Sequence, residues 1–218
     1  MIAERLQIPE AITETRIIAI LRGASRRYLY DACSKLAEAG VLCLEVTTNT
    51  PGVFETVARL RSDWGDRVEL GVGTVVTAEH VDAAVAAGAT FVVAPNLDFA
   101  VGDRAAEHSI GWYPGAATPT EILEAWRAGA TAVKIFPAAS LGGAAYLRQV
   151  RAPIDDVPMI PTGGVSLEQI AGYLQVGATA VGLGGPLIGD ALESGALDGL
   201  AARAAMALAF VAEARSAS

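Results

Sequence analysis

The sequence predicts an α/β fold of the TIM-barrel, or (β/α)8, class, and three observations support this prediction. An amphipathic helical stretch, a glycine and a β-branched strand follow one another four times along the chain. The glycines of these repeats are Gly40, Gly88, Gly129 and Gly177, at intervals of 48, 41 and 48 residues, so each interval has room for two strand–helix units. The strands are short and nearly all apolar, as in a parallel sheet that is covered on both faces.

Eight strands are expected, at residues 17–21, 42–46, 68–73, 91–94, 110–114, 132–136, 159–162 and 180–184. Helical patterns separate them at residues 25–39, 53–62, 78–87, 98–108, 119–128, 143–151 and 166–176. A helix over residues 2–14 and another over Leu197–Arg215 complete one domain that spans residues 1–218. The alternative to a barrel is an open, doubly wound sheet.

Glycine and proline set the ends of these elements. Glycine favours the left-handed conformation that ends many helices, which explains the repeated glycine before each strand. The third strand ends in Gly71-Val-Gly-Thr74 and the fifth in Pro114-Gly115, while Pro137 ends the sixth. Glycine pairs follow the seventh and eighth strands.

Composition and charge exclude several classes of function. The net charge of −8 argues against nucleic acid or an anionic membrane as a partner. Apolar runs are shorter than the ~20 residues that span a bilayer, and the polar N-terminal segment is unlike a signal peptide, so a cytoplasmic protein is expected. Cys33 and Cys43 are expected to be reduced core residues. His80 and His108 lie on outer helical segments, so no metal site is expected.

Lys134 is the most unusual residue of the sequence. It is one of two lysines, and it lies in the apolar strand segment Thr131–Pro137. A buried ammonium costs several kcal/mol, and a buried amine that loses its proton can attack a carbonyl to form a Schiff base. The alternative is a lysine whose stem packs in the strand while its ammonium group reaches water.

The repeat places a carboxyl group beside Lys134. The position five residues after each repeated glycine is held by Glu45, Val93, Lys134 and Gly182. Alternate strands of a TIM barrel contribute side chains to the same interior layer, so Glu45 and Lys134 are expected to meet near the C-terminal mouth. Glu45 would then move protons for Lys134, or else form a structural ion pair with it.

Residues after other strands complete the expected site. Gly163 with Gly164, and Gly184 with Gly185, follow the seventh and eighth strands, where TIM barrels bind phosphate; simple tight turns are the alternative. Arg22 follows the first strand and suits a carboxylate, unless it is an ordinary loop arginine. Thr74 could donate its hydroxyl into the mouth or serve only in a turn.

Eight segments together resemble the class I family of 2-keto-3-deoxy-6-phosphogluconate and 4-hydroxy-2-oxoglutarate aldolases. These segments are Ile20-Leu-Arg-Gly23, Leu44-Glu-Val-Thr47, Gly73-Thr-Val75, Ala94-Pro-Asn96, Pro114-Gly115, Val133-Lys-Ile-Phe-Pro137, Pro161-Thr-Gly-Gly164 and Gly182-Leu-Gly-Gly185. The resemblance implies a cofactor-free homotrimer that cleaves a 2-oxo acid, usually phosphorylated, to pyruvate and an aldehyde. It implies that Lys134 forms the Schiff base, that Glu45 shuttles protons, and that substrate contacts come from Thr74, Pro95, Phe136 and Thr162.

Two positions depart from the phosphogluconate-type pattern. Asn49 stands where those members carry an arginine, and the related 2-keto-3-deoxy-6-phosphogalactonate aldolases are similar to this chain there. Those aldolases also share the Leu-Arg-Gly end of the first strand, which suggests Arg22 as the carboxylate or substrate contact instead. Asn49 stays a candidate substrate contact. Pro186 replaces a serine that often follows the last glycine pair, which removes a hydroxyl and an N–H from the expected phosphate site. Non-covalent isomerases and phosphosugar sensors that lack turnover are the competing functions.

Overall fold

The computed structural model describes residues 5–216, and the strands of this part of the chain are all parallel. The strands are β1 (Ile17–Leu21), β2 (Cys43–Thr47), β3 (Glu69–Gly73), β4 (Phe91–Val93), β5 (Gly111–Tyr113), β6 (Gly115–Ala116), β7 (Val133–Ile135), β8 (Met159–Pro161) and β9 (Val181–Leu183). Eight of them agree in position with the strands expected from the repeat, and the two-residue strand β6 was not predicted.

Helices alternate with the strands along the chain. They are α1 (Glu10–Thr15), α2 (Leu29–Glu38), α3 (Val53–Trp64), α4 (Ala78–Ala86), α5 (Phe99–Glu107), α6 (Pro119–Arg127), α7 (Gly143–Arg151), α8 (Ile170–Gln175), α9 (Gly185–Ile188), α10 (Ala191–Ser194) and α11 (Leu197–Ser216). Short 3-10 turns cover Gly65–Arg67 and Leu167–Gln169. The short helices α9 and α10 were not predicted, because four-residue helices have no detectable apolar period.

The strands form a curled parallel sheet in two sections. One section has the order β5-β4-β3-β2-β1-β9, and the other has the order β6-β7-β8. The sections adjoin at Pro114, between β5 and β6, and at a parallel bridge between Thr162 and Gly182. The fold is therefore α/β, with consecutive parallel strands and intervening helices, as the repeat predicts.

Pro114 is the last residue of the predicted fifth strand and separates β5 from β6. Proline has no N–H to donate to a neighbouring strand, so regular pairing stops there. The carbonyl of Tyr113 still accepts from the N–H of Ala94 at 3.1 Å, and the carbonyl of Pro114 accepts from the N–H of Lys134 at 2.9 Å. The chain thus changes pairing partner from β4 to β7 at this residue.

Two apolar clusters pack on opposite faces of the curled sheet. Ala132, Phe91 and Tyr113 belong to the inner cluster, where the two rings meet edge-on with centroids 5.3 Å apart. Val133 and Ile135 belong to the outer cluster, beneath the helices. The predicted alternation of the sixth strand is therefore confirmed, and Lys134 lies on the same face as Ala132.

Two glycines of β3 make room for large side chains of the neighbouring strands. A Cβ atom at Gly71 would lie 2.2 Å from the ring of Phe91. At Gly73, a Cβ atom would lie 1.8 Å from Oε1 of Glu45. Both positions are in a regular strand, so glycine is needed here for close approach rather than for backbone conformation.

Two predicted helix starts were wrong. The first helix begins at Glu10 rather than at residue 2, because the residue before Pro9 is disfavoured in helical conformation. Residues 2–4 of that prediction lie outside the described residues. The second helix begins at Leu29 rather than at residue 25. The hydroxyl of Ser25 accepts from the N–H of Arg27 at 3.1 Å, and this local turn competes with helix formation.

The structure describes both cysteines and both histidines of the chain. Cys33 and Cys43 are buried and unpaired, which confirms them as reduced core residues. His108 is not merely solvated, since its Nε2 lies 2.7 Å from Oδ1 of Asp82. Within residues 5–216, no helix is long and apolar enough to cross a membrane.

The glycine positions give a test of the packing. Gly71→Ala should lower the free energy of unfolding by roughly 1–3 kcal/mol, because the new Cβ overpacks against the buried ring of Phe91. Gly172→Ala is the matched control, since no atom lies within 4 Å of a Cβ added to this helical residue. It should raise the stability by up to ~1 kcal/mol. Urea unfolding measures both, and equal effects of the two substitutions would contradict the packing described.

Candidate active site

A cavity of about 310 Å³ opens where β1, β7, β8 and β9 end. This is the C-terminal edge of the parallel sheet, where α/β enzymes of this architecture place their reacting groups. The residues lining it are Ile20, Arg22, Lys134, Phe136, Thr162, Gly163, Gly164, Val165, Gly182, Gly184, Gly185, Pro186, Ile188, Gly189, Leu192 and Glu193. Eight of these are among the residues predicted from the sequence, including Lys134.

Lys134 presents its amine to this cavity from the middle of β7. Its side chain is buried, with 6% relative exposure, and its Nζ lies 5.1 Å from the centroid of the Phe136 ring. None of the ion pairs within residues 5–216 includes Lys134. The amine is therefore enclosed by protein on most sides and left open on the side where a ligand would enter.

Glu45 is the buried carboxyl group that interacts electrostatically with Lys134. It is 2% exposed, and its Oε1 has no hydrogen-bond partner among the described residues. Burial raises the pKa of Glu45, while the positive charges of Lys134 and Arg22 act in the opposite direction. Glu45 is not among the residues that line the cavity. Its carboxyl group occupies the space where a Cβ of Gly73 would be. A carboxyl with a raised pKa near an amine is suited to giving and taking protons.

Arg22 and Thr74 are joined at the mouth. The Nη2 group of Arg22 donates to Oγ1 of Thr74 at 3.3 Å, and Arg22 also lines the cavity. Thr74 has a φ of 58°, which is the left-handed region that β-branched residues avoid. Such strain, on the order of 1–3 kcal/mol, persists only where surrounding contacts enforce it.

The loop after β8 forms one wall of the cavity. Gly163 and Gly164 have φ values of 91° and 75°, which explains why both are glycine. Added Cβ atoms would lie 3.0 Å from the Phe136 ring and 2.6 Å from Cβ of Ala139. Thr162 is 5% exposed and its hydroxyl donates to the carbonyl of Ile160 at 3.2 Å.

The loop after β9 forms the opposite wall. The carbonyl of Gly184 accepts from the N–H groups of Leu187 and Ile188, both at 2.9 Å. Gly185 begins α9 and Pro186 follows it, so Pro186 supplies no N–H to the cavity. The first turn of α9 therefore offers an anion fewer donors than an ordinary helix start would.

Asn49 and Pro95 do not line the cavity. Asn49 is exposed in the turn after β2, and Pro95 is half-buried after β4, with its carbonyl close to Gly115. Thr74 also lies outside the cavity but reaches it through Arg22. The predicted substrate contacts of Asn49 and Pro95 stay predictions.

Several lining residues were missed by the sequence reasoning. Ile188, Gly189, Leu192 and Glu193 come from α9, α10 and the turn between them. No periodic pattern identifies these short helices, so no signal was available. Gly182 was detectable, because it occupies the repeat position shared with Lys134, and a Cβ there would lie 2.3 Å from Oγ1 of Thr162.

A metal centre is not formed by the described part of the chain. No group of three or more His, Cys, Asp or Glu side chains within residues 5–216 is arranged to hold an ion. The cavity instead combines an amine, a guanidinium and glycine-rich backbone. This set of groups can bind an anionic carbonyl compound and attack its carbonyl carbon.

Two enzymes with assigned activities are similar to this chain over most of its length. The 2-dehydro-3-deoxy-phosphogluconate aldolase of Treponema pallidum (strain Nichols) is 36% identical over 169 residues, which cover 78% of this chain and 80% of the relative. The 2-dehydro-3-deoxy-6-phosphogalactonate aldolase of Escherichia coli (strain K12) is 33% identical over 176 residues, which cover 80% of this chain and 85% of the relative.

Two solved structures and one family model are also similar to this chain. A native KDPGal structure superposes with a TM-score of 0.88 at 30% identity, covering 97% of this chain and 100% of that one. A KDPG aldolase from Legionella pneumophila, with pyruvate captured as a covalent carbinolamine intermediate, gives a TM-score of 0.78 at 26% identity. The match covers 89% of this chain and 95% of that one. The model of the KDPG and KHG aldolases matches residues 8–202. The chain therefore belongs to the KDPG and KHG aldolase family of carbon–carbon lyases.

Proposed function

We propose that this chain reversibly cleaves a 2-keto-3-deoxy-6-phospho sugar acid of the phosphogluconate type to pyruvate and glyceraldehyde 3-phosphate, through a Schiff base on Lys134. The same chemistry would cleave 4-hydroxy-2-oxoglutarate to pyruvate and glyoxylate. The observation that carries this proposal is the buried amine of Lys134 at the cavity, with the enclosed carboxyl of Glu45 behind it.

Lys134 provides the nucleophile. Its neutral amine attacks the 2-keto carbon of the substrate, and the carbinolamine that forms loses water to give an iminium ion. The iminium accepts the electron pair of the bond between carbons three and four as that bond breaks. An enamine of pyruvate remains on Lys134, and the aldehyde leaves.

Glu45 moves the protons. It accepts the proton of the 4-hydroxyl as the carbon–carbon bond breaks, and it returns a proton to the enamine carbon. Water then adds to the resulting iminium, and cleavage of the C–N bond releases pyruvate and regenerates the amine of Lys134. Glu45 also assists the loss of water from the carbinolamine. Burial raises the pKa of Glu45, which makes its carboxylate a stronger proton acceptor than an exposed one. Its position next to Gly73, outside the cavity lining, suits transfer through a bound water.

Arg22, Thr74, Thr162 and Phe136 would hold the pyruvate half of the substrate. Arg22 pairs with the carboxylate, and its bond to Thr74 fixes its position at the mouth. Thr162 and the ring of Phe136 line the cavity beside Lys134 and confine the keto carbon.

The glycine loops would hold the phosphate. Gly163 and Gly164 have no side chain to block the approach of an anion, and in the described residues neither N–H donates to a backbone carbonyl. Gly184 and Gly185 line the facing wall. Donation of several N–H groups to phosphate oxygens is the usual mode of phosphate binding in such barrels.

A phosphogalactonate-type substrate is the second candidate. Asn49 is exposed in its turn, whereas Arg22 lies at the cavity and holds Thr74. This arrangement favours Arg22 over residue 49 as the carboxylate contact, as expected from the similarity of the sequence to the phosphogalactonate branch. The two substrates differ in configuration at carbon four, and the ratio of their kcat/KM values decides between them.

Three further features belong to the proposal. The strands would close into a (β/α)8 barrel with β5 and β6 as one interrupted strand, supported by the Thr162–Gly182 bridge and by the 2.9 Å bond from the N–H of Thr179 to the carbonyl of Met159. The chain would form a homotrimer, supported by exposed Phe99 on its surface. The expected cytoplasmic location stays a prediction.

The two lysines of the chain allow a sharp test of the Schiff base. Borohydride with saturating pyruvate should add one reduced pyruvate per chain, measured by intact-protein mass spectrometry. Lys134→Ala should abolish the adduct. Lys35→Ala is the matched control and should retain it, because Lys35 is partly exposed and pairs with Glu38 at 3.5 Å. An unmodified wild-type chain, or an adduct that requires Lys35, would contradict the proposal.

Glu45→Gln should lower kcat by about 10²–10⁴-fold, because an amide cannot transfer protons in place of a carboxyl. Pyruvate trapping on Lys134 should persist at a reduced rate. Unchanged turnover in Glu45→Gln would remove this residue from the mechanism.

The same variant has a predictable pH dependence of stability. Since burial raises the pKa of folded Glu45 above the ordinary value of about 4.3, ionisation of this group destabilises the wild type as pH rises through the folded pKa. Glu45→Gln should therefore be more stable than the wild type at pH 7 and no more stable near pH 4. Thermal unfolding at the two pH values measures this difference.

Pro186→Ser should improve recognition of phosphate by restoring an N–H and a hydroxyl. KM for phosphorylated sugar acids is expected to fall by about tenfold, as for one or two hydrogen bonds to a charged group. KM for unphosphorylated 2-keto-3-deoxygluconate should not change. Steady-state assays across the phosphogluconate-type, phosphogalactonate-type and unphosphorylated substrates test this, and an equal change for all three would place the phosphate elsewhere.

A further inference from the structure

The segment Thr47-Thr48-Asn49-Thr50 is hydrogen-bonded to two other loops, the one after β1 and the one after β3. It begins at the last residue of β2, the strand that carries Glu45, and lies between the loop with Arg22 and the loop with Thr74. The side chain of Asn49 is exposed and does not line the cavity. The threonines have a different set of contacts.

Thr48 holds the backbone of Thr74 at two points. The N–H of Thr48 donates to the carbonyl of Gly73, and its hydroxyl donates to the carbonyl of Thr74, both at 2.8 Å. On the other side of Thr74, the N–H of Val75 donates to the carbonyl of Val93 at 3.0 Å. These bonds fix both peptide groups of Thr74 and enforce its φ of 58°, a conformation that a threonine would otherwise leave.

Thr47 and Thr50 hold the backbone on both sides of Arg22. The N–H of Gly23 donates to the hydroxyl of Thr50 at 3.2 Å, and the hydroxyls of Thr50 and Thr47 lie 3.0 Å apart. The hydroxyl of Thr47 in turn donates to the carbonyl of Leu21 at 3.4 Å. One hydrogen-bonded chain therefore connects the residue before Arg22 with the residue after it.

Thr47 and Thr50 cannot contact a substrate directly. They are 0% and 1% exposed, so a ligand in the cavity has no access to their hydroxyls. The hydroxyl of Thr48 is already donated to the carbonyl of Thr74. Since two buried hydroxyls in an otherwise apolar strand end are costly unless they are bonded, their geometry is tightly determined.

We infer that Thr48 and Thr50 are positioning residues that set Thr74 and Arg22 in the geometry that receives the substrate carboxylate. This inference rests on the proposed function, because it assigns the carboxylate to Arg22. Loss of the Thr48 hydroxyl frees the carbonyl of Thr74 and lets Thr74 leave the left-handed region. The Arg22–Thr74 hydrogen bond at 3.3 Å is then lost.

The kinetic test compares threonine, serine and valine at each position. Thr48→Val and Thr50→Val keep the shape of the side chain but remove its hydroxyl. Thr48→Ser and Thr50→Ser keep the hydroxyl. We expect the pyruvate concentration for half-maximal borohydride trapping to rise about tenfold in the valine variants, equivalent to one lost hydrogen bond, and less than about threefold in the serine variants. The control Thr13→Val, on the exposed side of α1, should not differ from the wild type.

Acetone separates positioning from general damage to the site. It is a ketone without a carboxylate, so its trapping on Lys134 should proceed at the same rate in Thr48→Val and the wild type. Equal losses for acetone and pyruvate would overturn the inference, as would valine variants that bind pyruvate normally.

A crystal structure of Thr48→Val gives a readout that does not depend on turnover. We expect Thr74 to have a negative φ and its Oγ1 to lie beyond hydrogen-bond distance from Arg22. Retention of φ near 58° in this variant would overturn the role of Thr48. If the wild type forms no pyruvate adduct, the proposed function fails, and this structure still decides whether Thr48 positions Thr74.

Discussion

The structure depends on the burial of Lys134 and Glu45 beside one another in an otherwise apolar sheet. Each group would cost several kcal/mol if it were charged and alone in such surroundings. Lys134 is 6% exposed and Glu45 is 2% exposed, and no hydrogen bond satisfies Oε1 of Glu45 within the described chain. This burial is unfavourable for stability and fits the proton transfer that we propose for the pair, and neighbouring residues are constrained to make room for it.

These constraints account for residues that do no chemistry. Gly73 is glycine because the carboxyl of Glu45 occupies the space of its Cβ, and Gly182 leaves the same kind of space for Thr162. Pro114 ends the pairing of β5, and its carbonyl accepts a hydrogen bond from the N–H of Lys134. Larger side chains at the two glycines would displace Glu45 and Thr162 from their present positions. The positions of Glu45 and Thr162 therefore depend on glycine at residues 73 and 182.

Much of this arrangement could be predicted from the sequence. The repeated glycines located the strands, and the alternation around Lys134 gave its direction, because both follow from local periodicity. The cavity wall formed by α9 and α10 could not be predicted, since such short helices have no period. The contacts of Thr48 and Thr50 were also missed, because they join residues about 26 positions apart and depend on the register of neighbouring strands.

A crystal structure of the protein after borohydride reduction with pyruvate tests the central claim most directly. The account predicts continuous electron density from Nζ of Lys134 to carbon two of the trapped pyruvate. It also predicts that the carboxylate of the adduct points towards Arg22 and Thr74. An unmodified Lys134 in crystals soaked to saturation, or an adduct whose carboxylate points to Gly163 and Gly164, would contradict the account.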